Sequence, residues 1–210
     1  MFTSYQVVLK FQGKLMGGVP KHPDVIKSWL EARMPTFAPP DAVPLVDLAA
    51  QVAEAVDAMS VEENKVWTGF KSDDQGLYVD GYHLKAHLKD VANILQGQLG
   101  IKALKSKVAN RVFVVEDKLY LGKMEADGFW EHAVHVMTMQ GPRSALKRND
   151  YVEQPSLSAT LKVLDDNVIT TKVLEFLFEM GAIKGFGAER GLGHGRYDCT
   201  LTVVQAQIGE

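Results

Sequence analysis

The sequence predicts an α+β fold, an antiparallel sheet with helices on one face and a helical insertion near residues 20–60. Three observations predict it. Short runs rich in β-branched and apolar residues stand at 5–12, 156–164 and 197–204. Two segments with apolar residues at helical spacing, 82–95 and 171–180, alternate with such runs. Between about 20 and 60 the pattern changes to a proline-rich stretch and then an acidic amphipathic helix.

Taken in order, residues 5–12 read as a strand, broken by Gly17 and Gly18. Pro23 and Asp24 can open a helix through Ile26, Trp29 and Leu30 to about Arg33. Residues 35–44 hold four of the eight prolines and read as a loop. Residues 45–59 place Leu45, Leu48, Ala49, Val52 and Val56 on one helical stripe. Short strands are expected at 66–70 and 77–79 around the turn SDDQG. In the helix at 82–95 the inward residues are Leu84, Leu88, Val91 and Leu95. Strands follow at 111–115, 119–121, 132–138 and 156–164, then a turn and cap at 165–170. The helix at 171–180 turns Val173, Leu174, Leu177 and Phe178 inward. A glycine-rich loop joins it to the last strand. That strand–helix–loop–strand ending suits a ferredoxin-like sheet. The chain is read as one domain over 1–210, with an insertion at about 20–63.

Composition is that of an ordinary globular protein: 46% hydrophobic, 23% charged, net charge −3. Charge is unevenly spread. Asp41, Asp47, Glu54, Asp57, Glu62 and Glu63 form a tract with no Lys or Arg, which suits solvent or a protein contact rather than nucleic acid. The single cysteine, Cys199, excludes an intrachain disulfide and reads as a small packed hydrophobe in a reducing, cytoplasmic setting. No run of about eighteen apolar residues is present, so no membrane partner is expected. The first residues read as a strand and not as a signal peptide.

Residues 181–195, GAIKGFGAERGLGHG, hold six of the eighteen glycines. Lys184, Arg190, His194 and Arg196 lie in or beside them. Cations along a bare backbone suit a polyanion. The alternative is that glycine lets a helix sit close to a sheet. The loop follows a helix and precedes a strand, the reverse of the dinucleotide fingerprint, and no P-loop or serine-hydrolase elbow is present. A basic tract at 81–111 carries Lys85, Lys89, Lys102, Lys105, Lys107 and Arg111 against Asp90 alone. Lys85 and Lys89, four apart, share a helical face suited to phosphates or simply to solvent. Arg143, Lys147 and Arg148 form a second basic cluster, read as a loop. His83 and His87 have zinc-ligand spacing, but HLKAH lacks the glutamate of HExxH and Lys85 stands between them. No metal or other cofactor is implied. Acid–base cleavage of RNA would fall to His194 or His22.

The run GFGAERGLGHGRYDCTL resembles the glycine-rich signature of the CRISPR-associated RAMP superfamily, G-x-G-x-x-R-x-x-G-x-G-R, through Gly185, Gly187, Arg190, Gly193, Gly195 and Arg196. The run GLYVDGYHLKAHL is similar to that superfamily's P-G-S-S-L-K-G segment through Gly81, Leu84 and Lys85. Tyr82 and His83 stand where the serines would, Asp80 where the proline would, and Ala86 where the second glycine would. The resemblance spans about residues 66–204 and identifies the chain as a divergent member. It implies RRM-like modules, RNA bound along a groove, assembly with related subunits and, in some members, metal-independent ribonuclease activity. The expected function is non-catalytic binding of single-stranded nucleic acid, RNA before DNA. The binding set would be Lys85, Lys89, Lys105, Lys107, Arg143, Lys147, Arg148, Lys184, Arg190, His194 and Arg196, with Tyr82, Tyr151, Phe186 or Tyr197 stacking bases. The alternatives are an endoribonuclease on the same fold and a self-associating assembly protein without nucleic acid.

Overall fold

The computed structural model describes residues 1–21, 67–138 and 141–204, without side chains from 135 to 145. The helices expected at 24–33 and 45–59, the acidic tract and His22 lie outside the described residues. In chain order the strands and helices are β1 (Phe2–Phe11), β2 (Lys14–Met16), β3 (Val19–Pro20), β4 (Trp67–Gly69), β5 (Lys71–Asp73), β6 (Gly76–Asp80), α1 (Gly81–Ile94), α2 (Leu104–Arg111), β7 (Val112–Val114), β8 (Lys118–Tyr120), β9 (Gly128–Thr138), β10 (Gly141–Glu153), β11 (Ser156–Leu164), α3 (Thr171–Lys184) and β12 (Tyr197–Val204). The fold is α+β, mostly sheet. The chain divides into two compact units. The larger comprises Met1–Gly17, Phe70–Gly128 and Tyr151–Glu210, and the smaller Gly18–Gly69 and Phe129–Asp150.

The larger unit is built on an antiparallel sheet in the order β12-β1-β11-β7. The chain passes through it as β1, α1, β7, β11, α3, β12, a strand–helix–strand–strand–helix–strand path. Alternation decides which face is covered. Tyr5, Val7, Leu9 and Phe11 of β1, and Leu157, Ala159, Leu161 and Val163 of β11, are buried. They form one core with Leu84, Leu88 and Val91 of α1 and Leu174, Leu177 and Phe178 of α3. Burying each such leucine contributes about 1.5–3 kcal/mol relative to leaving it in water. The alternate residues, Gln6, Lys10, Ser158 and Lys162 among them, face outward.

Helix ends follow local chemistry. Thr170 caps α3, its hydroxyl accepting the Val173 N–H at 3.4 Å. α3 runs to Lys184, further than its apolar stripe predicts, and stops at Gly185, where φ is +83°. Lys105 and Lys107, expected just ahead of a strand, lie instead in α2, because Leu104 and Val108, four apart, bury one helical face. The turn expected at SDDQG joins β5 to β6, with Asp73 Oδ1 accepting the Gln75 N–H at 3.0 Å. β5, β6 and β8 form a second, small sheet.

In the smaller unit β4 pairs with β3 antiparallel and with β10 parallel, Arg148 opposite Trp67. The basic cluster at 143–148, expected as a loop, lies in the strand β10. It has no Gly or Pro after Pro142, so nothing in its backbone chemistry stops a strand. Among the described residues no helix is long and apolar enough to cross a membrane.

Candidate nucleic-acid interface

The glycine-rich loop is closed on itself. Phe186 N–H donates to Gly195 C=O at 2.8 Å, Gly195 N–H to Lys14 C=O at 3.0 Å, and Ala188 N–H to Met16 C=O at 3.1 Å. Gly195 has φ +74°, and a Cβ there would stand 1.9 Å from the Phe186 carbonyl oxygen. Gly181, in α3, gives the core its room. A Cβ there would meet the Tyr197 hydroxyl at 2.3 Å and His87 Nε2 at 2.7 Å. The backbone freedom of Gly195 and the missing side chain of Gly181 are thus used for packing within the larger unit.

Two cations at and just before the loop, Lys184 at the end of α3 and Arg190, have a carboxylate partner from α1. Lys184 Nζ lies 2.5 Å and Arg190 Nη1 3.3 Å from Asp90 Oδ2. The Lys184 hydrogen bond holds the Asp90 carboxyl below its ordinary range. Arg196 is exposed and lines a cavity of about 760 Å³ with Glu175, Glu179, Ile183 and Asp198, so that cavity is rich in carboxylates. His194 is half-buried. His87 is buried, and its Nε2 lies 3.0 Å from the Tyr197 hydroxyl. Burial, reinforced by the charges of Arg190 and Lys184, lowers its pKa to about 4, so it is neutral at physiological pH. His83, half-buried beside the Tyr82 ring, does not share a site with it. Burial pushes the Cys199 thiol up to about 12, which suits packing and not nucleophilic chemistry.

The helical tract is different. α1 packs on α2, and Lys85 and Lys89 of the first and Lys105 and Lys107 of the second have no carboxylate within 4.0 Å among the described residues. Arg111, at the end of α2, is paired with Asp166 at 2.6 Å. The Lys85 ammonium stands 4.6 Å from the centroid of the Phe113 ring.

In the smaller unit Arg148 is a packing residue. Its guanidinium lies 3.5 Å from the Phe129 ring centroid and 4.2 Å from that of Trp67. Lys21 Nζ is 4.7 Å from the Trp67 ring. Asp150 ties the group together, accepting Trp67 Nε1–H at 2.6 Å and pairing with Lys21. Lys147 is half-buried, and the side chain of Arg143 lies outside those described.

Of the proposed stacking residues, Phe186 and Tyr197 are buried at 3% and 1% exposure and cannot receive a base. The strand period places Tyr197 inward, whereas Phe186 is a loop residue whose ring packs against Phe11 and His87. Tyr82 is 63% exposed, and Tyr151 is half-buried under the Lys14 ammonium. Among the exposed aromatics that the sequence reading does not name are Phe2 and Phe113. The signal was present, since each falls on the outward phase of its strand.

No family model and no curated protein matches the chain. Solved structures do. A chain in the cryo-EM structure of the Type III-B Cmr-beta bound to cognate target RNA aligns over 98% of this chain and 61% of its own length, at TM-score 0.54 and 12% identity. The chain shares its fold with that neighbour. It spans about three-fifths of that neighbour, and what the two share is the fold. A chain of a Type IV-B CRISPR complex aligns over 99% of this chain and 92% of its own, at TM-score 0.43 and 11% identity.

Proposed function

We propose that this RAMP-like chain binds single-stranded nucleic acid, RNA in preference to DNA, without cleaving it. The observation that carries the reading is the set Lys85, Lys89, Lys105 and Lys107 on two packed helices, with no carboxylate partner among the described residues. Backbone phosphates are natural partners for such lysines. From the glycine-rich loop, Arg196 and His194 would add to this set. Lys184 and Arg190 contribute less, because Asp90 already holds them. The RNA preference is supported by the neighbour of similar fold, which is part of a complex bound to target RNA. That neighbour also supports assembly with related subunits.

Fluorescence anisotropy with a labelled oligouridylate, repeated across salt concentrations, tests the reading. Log affinity falls linearly with log salt. Each of the four lysines changed to alanine lowers the slope by about 0.7 if it contacts a phosphate of a single strand. Absence of salt-sensitive binding to any single strand refutes the proposal.

A further inference from the structure

The outward face of the β12-β1-β11-β7 sheet is chemically unlike a surface that serves only to be wetted. Register sets its rows. Across the strands, Val204, Ser4, Lys162 and Phe113 stand opposite one another, and the next row holds Thr202, Gln6 and Thr160. Phe2 lies one step beyond Ser4 on the same face, and its ring meets that of Phe113 edge-on at 5.9 Å. Phe2 is 51% and Phe113 41% exposed. Two phenyl rings held half in water, beside a lawn of hydroxyls and amides, form a platform with hydrogen-bonding surroundings.

Its charges are mixed. The charged residues pointing off these strands are Lys10, Lys162 and Asp198, and Asp198 accepts a hydrogen bond from Gln12 Nε2 at 3.0 Å. At the rim, Glu116 is turned onto the Thr160 N–H at 2.8 and 3.0 Å and Asp166 onto Arg111, while Asp117 and Asp165 are exposed. Lys162 is exposed, with no carboxylate within 4.0 Å among the described residues. Lys85 joins this face to the helical tract. It belongs to α1, yet its ammonium rests against the Phe113 ring, at the β7 edge.

We infer that Phe2 and Phe113 form a base-stacking platform flanked by Lys85 and Lys162, and that a bound single strand continues from the helical lysines past β7 onto the open face of the sheet. Exposed aromatics next to unpaired cations are what sequence-tolerant single-strand binding requires, because every base has a π-face and every nucleotide a phosphate. Beside the rings, Ser4, Gln6, Thr160 and Thr202 offer hydrogen-bond donors and acceptors to a nucleotide, which favours nucleic acid over a protein partner. The inference rests on the nucleic-acid reading above and adds a second contact region to it.

The test uses the full chain, the same labelled oligouridylate and four proteins: wild type, Phe2→Ala/Phe113→Ala, Phe2→Tyr/Phe113→Tyr, and Lys162→Ala. Thermal melting checks that each is folded. The alanine pair weakens binding by about tenfold or more and leaves the salt slope unchanged. The tyrosine pair restores affinity, since it keeps both ring faces. Lys162→Ala lowers the slope by about 0.7. If the wild type binds with a salt slope but the alanine pair binds equally well, the platform is overturned and the helical interface stands. If the wild type does not bind at all, both fall. If the alanine pair changes only the oligomeric state seen by light scattering, the face is a protein interface and the inference is wrong.

Discussion

Gly195→Ala separates a loop held by its own backbone from one that keeps glycine to admit a ligand. Alanine at φ +74° costs about 1–2 kcal/mol on conformational grounds. Its Cβ would also stand 1.9 Å from the Phe186 carbonyl oxygen, so the two backbones must part. Parting them breaks the Phe186 N–H···O=C Gly195 bond and strains Gly195 N–H···O=C Lys14. Each such bond is worth about 0.5–1.5 kcal/mol net, for a total loss of about 2–5 kcal/mol. Gly191→Ala is the control, because nothing lies within 4 Å of its added Cβ and its φ is not in the left-handed region. Urea denaturation followed by circular dichroism gives both values from the shift in midpoint at constant slope. A loss below about 1 kcal/mol for Gly195→Ala, or equal losses at the two sites, refutes the packing account of the loop.

Asp90→Asn releases Lys184 and Arg190. Because Asp90 is 43% exposed, the loss in stability is small, about 0.2–1 kcal/mol. Its folded-state carboxyl titrates below the unfolded value, so the contribution is present above about pH 4 and is lost as pH falls through the folded value. Wild-type and variant denaturation curves should therefore converge in acid, and a difference that grows there counts against the clamp. His87 loses stability in acid too, through burial of the neutral ring rather than through pairing. It is buried neutral with a pKa of about 4 against about 6.5 unfolded, so the unfolded chain takes up its proton first. Stability is full above pH 6.5 and falls by about 3 kcal/mol as pH drops toward 4. His87→Gln flattens that part of the pH–stability curve, and an unchanged curve would show that the ring is accessible to protons. Trp67→Ala removes both cation–ring contacts and the Asp150 hydrogen bond, a loss of about 2–4 kcal/mol confined to the smaller unit. Limited proteolysis should then cut first within Phe129–Asp150 or Gly18–Gly69, and uniform cutting would contradict that confinement.

Much of the candidate site was legible because its signals are local. The lysines of α1 and α2 stand out as a basic tract, and the helix–loop–strand setting of the glycines already excluded a dinucleotide site. Other features were missed for physical reasons. Arg148 looks like a phosphate contact in sequence, but Phe129 and Trp67, 19 and 81 positions away, enclose it. Tyr197 looks available for stacking until its strand phase is combined with the position of His87 on α1.

By itself the sequence determined the α+β class, the two inward helical stripes, the alternation of β1 and β11, and the place of the glycine-rich loop. These depend on periods of two and 3.6 residues, which short-range order expresses directly. Tertiary structure alone decided what the cations and aromatics do. Asp90 pairs with both Lys184 and Arg190 across 94 and 100 positions. Phe2 meets Phe113 only because β1 and β7 both flank β11 in one sheet. Ion pairs and ring contacts depend on which distant segments the sheet brings together, and no local pattern specifies that.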